Sequence, residues 1–199
     1  MTRIAATAGW SRTQRAMHWG MFLIVLAAVA LVLSTGFYEK GDPQIGTLMF
    51  FHKSFGVTAF AGIALWMLVR SRQGRPSAIG RPWQIGLSRW VHGLLVALIF
   101  AMPVLGVLMS EFGGRAVSVF GLFTIPRFTP ENKDVARVLH TLHAHGAAPV
   151  LLALIVLHVI GALWHHLADR DATMARMLWT RPANGVARAA DGASSGASR

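Results

Sequence analysis

The chain has 199 residues, 54% hydrophobic and 14% charged, with a formal net charge of +11, nine histidines and no cysteine. Its mean hydropathy of +0.49 is too apolar for a water-soluble domain of this length. The missing cysteines exclude disulfides, iron–sulfur clusters, thiolate zinc sites and covalently attached c-type haem.

A membrane-crossing helix needs about 20 mostly apolar residues. Four stretches meet this, at residues 16–37, 45–69, 87–110 and 138–167. The first has a basic start and a small-x-small triplet, Ala28-Val29-Ala30, as in a cleavable signal peptide. Its apolar run continues past the triplet and is too long for a signal h-region, so it is expected to stay as a span. The connection 71–84 holds Gly74, Pro76, Gly80 and Pro82 and reads as irregular. The connection 111–134 is longer and amphipathic, and is expected to fold back over the bundle mouth. After the fourth span, Met174, Met177 and Leu178 recur at helical spacing among Arg170 and Arg176, which predicts a short helix lying in the interface. The expected architecture is all-α, an integral membrane four-helix bundle over residues 10–180. An Ala/Gly/Ser-rich tail, 183–199, is expected to be disordered.

The basic balance follows topology. With four spans, the N-terminus, the 71–84 connection with its flanks, and the C-terminal region share one side. They carry thirteen basic residues (Arg3, Arg12, Arg15, Arg70, Arg72, Arg75, Arg81, Arg89, Arg170, Arg176, Arg181, Arg188, Arg199) against Asp169, Asp171 and Asp191. The other side carries Lys40, Lys53, Arg115, Arg127, Lys133 and Arg137 against Glu39, Asp42, Glu111, Glu131 and Asp134. The positive-inside rule predicts both termini in the cytoplasm, hence a multi-pass membrane protein. No nucleic-acid partner is needed to explain the charge.

Ionisable side chains at membrane depth are costly and mark functional sites. The topology sorts the histidines into two layers. The outer layer holds His52 with His143 or His140; the inner holds His18 with His158, and His92 nearby. Fifteen residues between His143 and His158 span roughly 22 Å of helix, room for two stacked macrocycles. In a regular helix they also diverge by about 60°, whereas His140 falls on the face of His158. Pro149 lies between, and one bulged residue there would bring His143 into line. Zinc gathers three or four ligands at one depth, and proton relays use buried carboxylates, which the span interiors lack. Two pairs at two depths suit haem, whose iron takes imidazole on opposite faces.

Several short motifs stand in order along about residues 10–180. They are R-x-x-H-W from Arg15, H-K-S-x-G from His52, W-x-H-G-L-L from Trp90, M-P-V-L-G from Met102, F-G-L-x-x-x-P from Phe120, L-H-x-x-x-A-L-x-H-H from Leu157, and R-D-x-x-x-x-R-M-L from Arg170. Together they resemble the bacterial di-haem cytochrome b561 family, specifically its small four-helix members similar to superoxide oxidase. The resemblance implies two haem b groups, one ligated by His18 and His158 on the cytoplasmic side, the other by His52 and His143 on the periplasmic side. The family spaces its two fourth-span ligands by 14 residues; here His143 gives 15 and His140 gives 18, so His140 is the alternative. The resemblance further implies outer-sphere transfer of an electron from superoxide to ubiquinone, with no nucleophile or acid/base dyad, and makes His165 the candidate quinone contact. The alternative function is a haem-containing membrane anchor and electron conduit between the quinone pool and a separate dehydrogenase or cytochrome, a redox partner protein.

Overall fold

A computed structural model describes residues 9–178. Helix α1 (Arg12–Ser34) is prolonged by a 3-10 turn, Thr35–Phe37. It is followed by α2 (Pro43–Gln73), α3 (Pro82–Phe112), strands β1 (Val117–Val119) and β2 (Phe123–Ile125), and α4 (Lys133–His140). A π-helical segment, Thr141–Ala147, joins α4 to α5 (Ala148–Leu167), so the last three form one continuous rod. These make four helical spans long and apolar enough to cross a bilayer. The expected tail 183–199, with Arg3, Arg181, Arg188, Arg199 and Asp191, lies outside the described residues.

Each helix starts earlier than its apolar stretch. Ser11 caps α1 by accepting from Gln14 N–H, while the Gln14 side chain accepts from Ser11 N–H. Asp42 caps α2 through Gln44 N–H, and Asn132 caps α4 through the N–H groups of Asp134 and Val135. Pro43 and Pro82 occupy first-turn positions where their missing N–H costs nothing. Hydropathy marks only the part inside hydrocarbon. The 31-residue helices α2 and α3 are roughly 46 Å long against a core of about 30 Å, so their polar ends reach the headgroups. Leu23, Leu33, Val156 and Ile160 are each more than half exposed, as lipid-facing side chains of a spanning bundle are.

Helix α1 packs on α2, α2 on α3, and α3 on the α4–α5 rod. Among the described residues, no Cα of α1 or α2 comes within 8 Å of the π segment or α5. The bundle therefore has a slot, with α1 and α2 on one wall and the α4–α5 rod on the other. The fully buried apolar cluster is correspondingly small. It is Val91, Leu95 and Leu151, on the α3–α5 seam.

At one end, Ser11 Oγ bonds Gln73 Oε1 at 2.6 Å and Gln14 Nε2 donates to Gly74 O, tying the start of α1 to the end of α2. Arg70 lies over the rings of Trp66 and Trp10. Arg15 donates to Leu178 O and Trp19 Nε1 to Met177 O, so both ends of the described chain meet here, at what we call the terminal end. The interfacial helix expected after the fourth span is not formed. Residues 172–177 make successive turns, entered through Arg170 in a left-handed conformation (φ 51°). The turns close through Arg176 N–H to Ala172 O and Leu178 N–H to Met174 O, and side chains tie the segment to the bundle. Arg176 reaches Ser77 O, and the carbonyls of Met177 and Leu178 are taken by α1.

At the opposite, hairpin end, the long connection does fold back. Strands β1 and β2 pair antiparallel, Val117 opposite Ile125 and Val119 opposite Phe123. Val117 and Val119 are buried and β1 lies along α2, because alternate residues of a strand face one side. The turn places Phe120 and Gly121 at positive φ. Phe120 tolerates this because its N–H bonds the fully buried Ser54 Oγ at 2.9 Å and its ring packs edge-on to Phe55.

Candidate functional site

Two histidine pairs face each other across the slot. At the terminal end, His18 of α1 and His158 of α5 have ring centroids 6.1 Å apart. At the hairpin end, His52 of α2 and His143 of the π segment are 6.3 Å apart. A metal–imidazole bond is about 2 Å long and the ring centre lies roughly 1 Å behind its nitrogen, so two rings on opposite faces of one metal sit roughly 6 Å apart. Both pairs have that separation, and neither has a backbone contact to explain it.

The hydrogen bonds set the tautomers. His52 Nδ1 is 2.8 Å from Ala28 O, and His143 Nδ1 is 3.0 Å from Met102 O. A carbonyl only accepts, so each Nδ1 carries a proton and Nε2 is the nitrogen left to bind a metal. His18 Nδ1 is buried with no hydrogen-bond partner, so no protein hydrogen bond at that nitrogen fixes this ring, which packs edge-on against Trp19. Between His52 and His143 lies a cavity lined mainly by apolar side chains, among them Val25, Val29, Val57 and Ile99, with Lys53 on its wall. Paired imidazoles on opposite walls of an apolar slot are a donor set that haem iron takes.

The π segment places the two candidates on the fourth span differently. Ala148 N–H bonds His143 O, five residues back rather than four. The wide turn absorbs one residue, so the 15-residue spacing acts as 14 and His143 swings by about 100° toward the slot. Pro149 gives the local reason, since its ring would collide with the carbonyl four residues earlier in a regular helix. His140 is exposed and packs on His145 at 5.6 Å, away from the slot. His92 lies edge-on against His158 at 5.0 Å, too close to share a metal from opposite faces, and its Nδ1–H donates to Ser88 O.

The family profile of the prokaryotic cytochrome b561 proteins matches residues 9–180. The chain belongs to that family. It is 33% identical over 173 residues to cytochrome b561 homolog 2 of Escherichia coli (strain K12), covering 82% of this chain and 87% of that one. It is 26% identical over 171 residues to cytochrome b561 homolog 1 of the same organism, covering 85% and 96%. A probable superoxide oxidase, CybB of Yersinia pestis, is 27% identical over 172 residues, covering 85% and 95%. The chain is thus a multi-pass prokaryotic membrane protein of electron transfer, from a family that carries haem b. The slot and its paired imidazoles fit that group.

Sequence reasoning missed several residues of this site. The carbonyls of Ala28 and Met102 carry no signal, since any residue supplies one. Gly106 does carry one. A Cβ there would lie 3.3 Å from His143 Cε1, so glycine makes room for the ring. Gly106→Val is expected to displace His143 and lower haem content at the hairpin end by half or more, with the helical circular dichroism spectrum unchanged. Full haem occupancy in that variant would contradict the placement.

His165 lies at the terminal end, side-chain 14% exposed, its Nδ1 2.6 Å from Asp171 Oδ2 and 3.5 Å from Asp169 Oδ2. Gln84 Nε2 holds Asp169 at 2.7 Å. Partial desolvation works against the charge of Asp171, but hydrogen bonds from Thr173 and His165 outweigh it and hold the carboxyl below its ordinary value. His166 is exposed.

Proposed function

We propose that residues 10–180 hold two haem b groups, one between His18 and His158 at the terminal end, the other between His52 and His143 at the hairpin end. On this reading the protein oxidises superoxide at the hairpin end and reduces ubiquinone at the terminal end. The hairpin end faces the periplasm and both termini face the cytoplasm of a bacterial inner membrane, as the charge asymmetry favours. The supporting observation is the two ring separations, 6.1 and 6.3 Å, across a slot with no backbone contact.

One-electron chemistry is what haem supplies when bound. The chain's residues do the rest. His52 and His143 present Nε2 to the slot, with their orientation set by backbone carbonyls. The apolar cavity wall keeps water from the hairpin-end pair. Two superoxide anions release two electrons and leave two dioxygen molecules; one ubiquinone takes both electrons and two protons.

The charge on the hairpin side nearly cancels in the sequence, but not every cation there is held in an ion pair. Arg127 pairs with Glu131 and Arg137 with Asp134. Among the described residues no ion pair holds Lys53 or Arg115, and Lys53 lies beside His52 on the cavity wall. An unpaired cation at the mouth raises the encounter rate of an anion. Lys53→Gln is expected to slow haem reduction by superoxide about 3- to 10-fold at low salt, with the difference shrinking at high salt. A salt-independent loss would mean that Lys53 acts through packing.

The test is to give purified protein a superoxide source and follow haem reduction and ubiquinol formation. Both are expected without any added protein. Haem that reduces with dithionite but not with superoxide would favour the conduit reading, in which a separate redox protein supplies or removes the electron.

A further inference from the structure

We infer that His165, Asp169 and Asp171 bind one zinc ion, which clips the turn after α5 to the terminal end of the bundle. The site is separate from the paired imidazoles of the slot, and the inference is independent of what those pairs hold and of what accepts the electrons.

Three ligand atoms are gathered at one depth. His165 stands in the last turn of α5, and the left-handed Arg170 folds the chain so that the two aspartates return to its ring. His165 Nδ1 is 2.6 Å from Asp171 Oδ2 and 3.5 Å from Asp169 Oδ2, and the three ligand atoms all lie within 4.8 Å of one another. Donors on one tetrahedral zinc stand roughly 3.4 Å apart, given bonds of about 2.0–2.2 Å. The Asp169 distance already has that value. The Asp171 distance has to open by less than about 1 Å, once the proton between the two atoms is gone.

Two observations separate this cluster from an ordinary histidine–aspartate hydrogen bond. Nδ1 has a single proton and two carboxylates facing it. Like charges that close repel, and this side of the chain is rich in arginine, yet among the described residues no arginine pairs with either acid. A divalent cation is the partner that meets both. In the same turn Thr173 Oγ1 lies beside Asp171, buried and with no hydrogen-bond partner. The ligands are also oriented from behind. Buried Gln84 donates from Nε2 to Asp169 Oδ2 at 2.7 Å, and Thr173 N–H holds Asp171 Oδ1 at 2.8 Å. The side chains of His165, Asp169 and Asp171 are 14%, 24% and 17% exposed, so an ion reaches them from water.

Binding leaves the ring neutral. The Nδ1–H bond breaks to water as an Nε2–H bond forms from water, and the Nδ1 lone pair takes the zinc. One neutral imidazole and two carboxylates cancel the charge of the ion, and water fills the fourth position. An imidazole nitrogen among the ligands selects zinc over magnesium, which takes oxygen ligands in octahedral geometry. So held, the ion joins the last turn of α5 to the turn that follows it and, through Gln84, to the first turn of α3.

The experiment uses full-length protein without a histidine tag, stripped with EDTA and dialysed against zinc chloride. Metal analysis is expected to find one zinc per chain. Asp169→Asn and Asp171→Asn keep an amide oxygen for Gln84 and for His165 Nδ1–H but lose the charge. Each is expected to weaken zinc binding at least about 10-fold, with the helical circular dichroism spectrum unchanged. His145→Ala, which breaks the exposed His140–His145 pair at the hairpin end, is expected to bind zinc as wild type does. The thermal midpoint of the wild type should rise with zinc and stay where it is with magnesium at the same concentration. That shift carries the test even where a variant fails to fold. No bound zinc in the wild type, equal binding by both aspartate variants, or loss of zinc in His145→Ala would overturn the inference. So would a midpoint that zinc leaves unmoved or that magnesium raises as far.

Discussion

His143→Ala is expected to purify with one haem per chain where wild type has two, and His140→Ala is expected to keep both. The two residues lie three apart on one rod, and apolar patterning alone does not separate them. The π turn does: it brings His143 to 6.3 Å from His52 with its Nδ1–H on Met102 O, and leaves His140 exposed against His145. Removing His143 takes away one of the two imidazoles proposed to hold the hairpin-end haem. The far pair, His18 and His158, lies a long helical stretch away and keeps its own slot. The absorption spectrum of His143→Ala should therefore retain a b-type α band at about half the wild-type intensity per chain. Half-occupancy in His140→Ala with full occupancy in His143→Ala would reverse the assignment and require the π segment to be wound as a regular helix.

His158→Ala is expected to separate the two ends of the proposed electron path. The hairpin-end pair stays intact, so superoxide should still reduce the remaining haem at close to the wild-type rate. Ubiquinone reduction should fall by about two orders of magnitude or more, because nothing then carries the electron to the terminal end. His92 is the residue best placed to interfere, being 5.0 Å from the His158 ring. Its Nδ1–H is committed to Ser88 O, and that bond holds its ring on the turn that starts at Ser88. The double variant His158→Ala/His92→Ala should match the single one. Stopped-flow spectra of haem reduction, read beside ubiquinol yield, check both halves of this expectation.

Much of this arrangement is legible in the amino-acid order. The positions of His18, His52 and His158 within long apolar stretches assign them to two depths once four spans are counted, because alternate helices run in opposite directions. The amphipathic text around Val117 and Val119 announces a connection with one face to bury, and β1 buries both against α2. What is not legible depends on contacts between distant segments. The spacing of His143 from His158 reads as out of phase until the wide turn before Pro149 is seen, and nothing but the suspicion of a bulge points to it. The carbonyls of Ala28 and Met102 are common to every residue. The segment after α5 has helical periodicity in Met174, Met177 and Leu178, yet Arg170 turns left-handed and Arg15, Trp19 and Arg176 tie the segment to α1 and the α2–α3 connection. Those tertiary bonds outweigh a short run of propensity. Asp171 stands within a motif but meets His165 only because the turn folds it back onto that ring.

On the proposed reading one chain holds two haems, each between a pair of imidazoles about 6 Å apart. The most direct test is haem b per polypeptide in the purified wild-type protein, from the pyridine haemochrome spectrum against amino-acid analysis. Two per chain is the expected result. One per chain, or none, would contradict it.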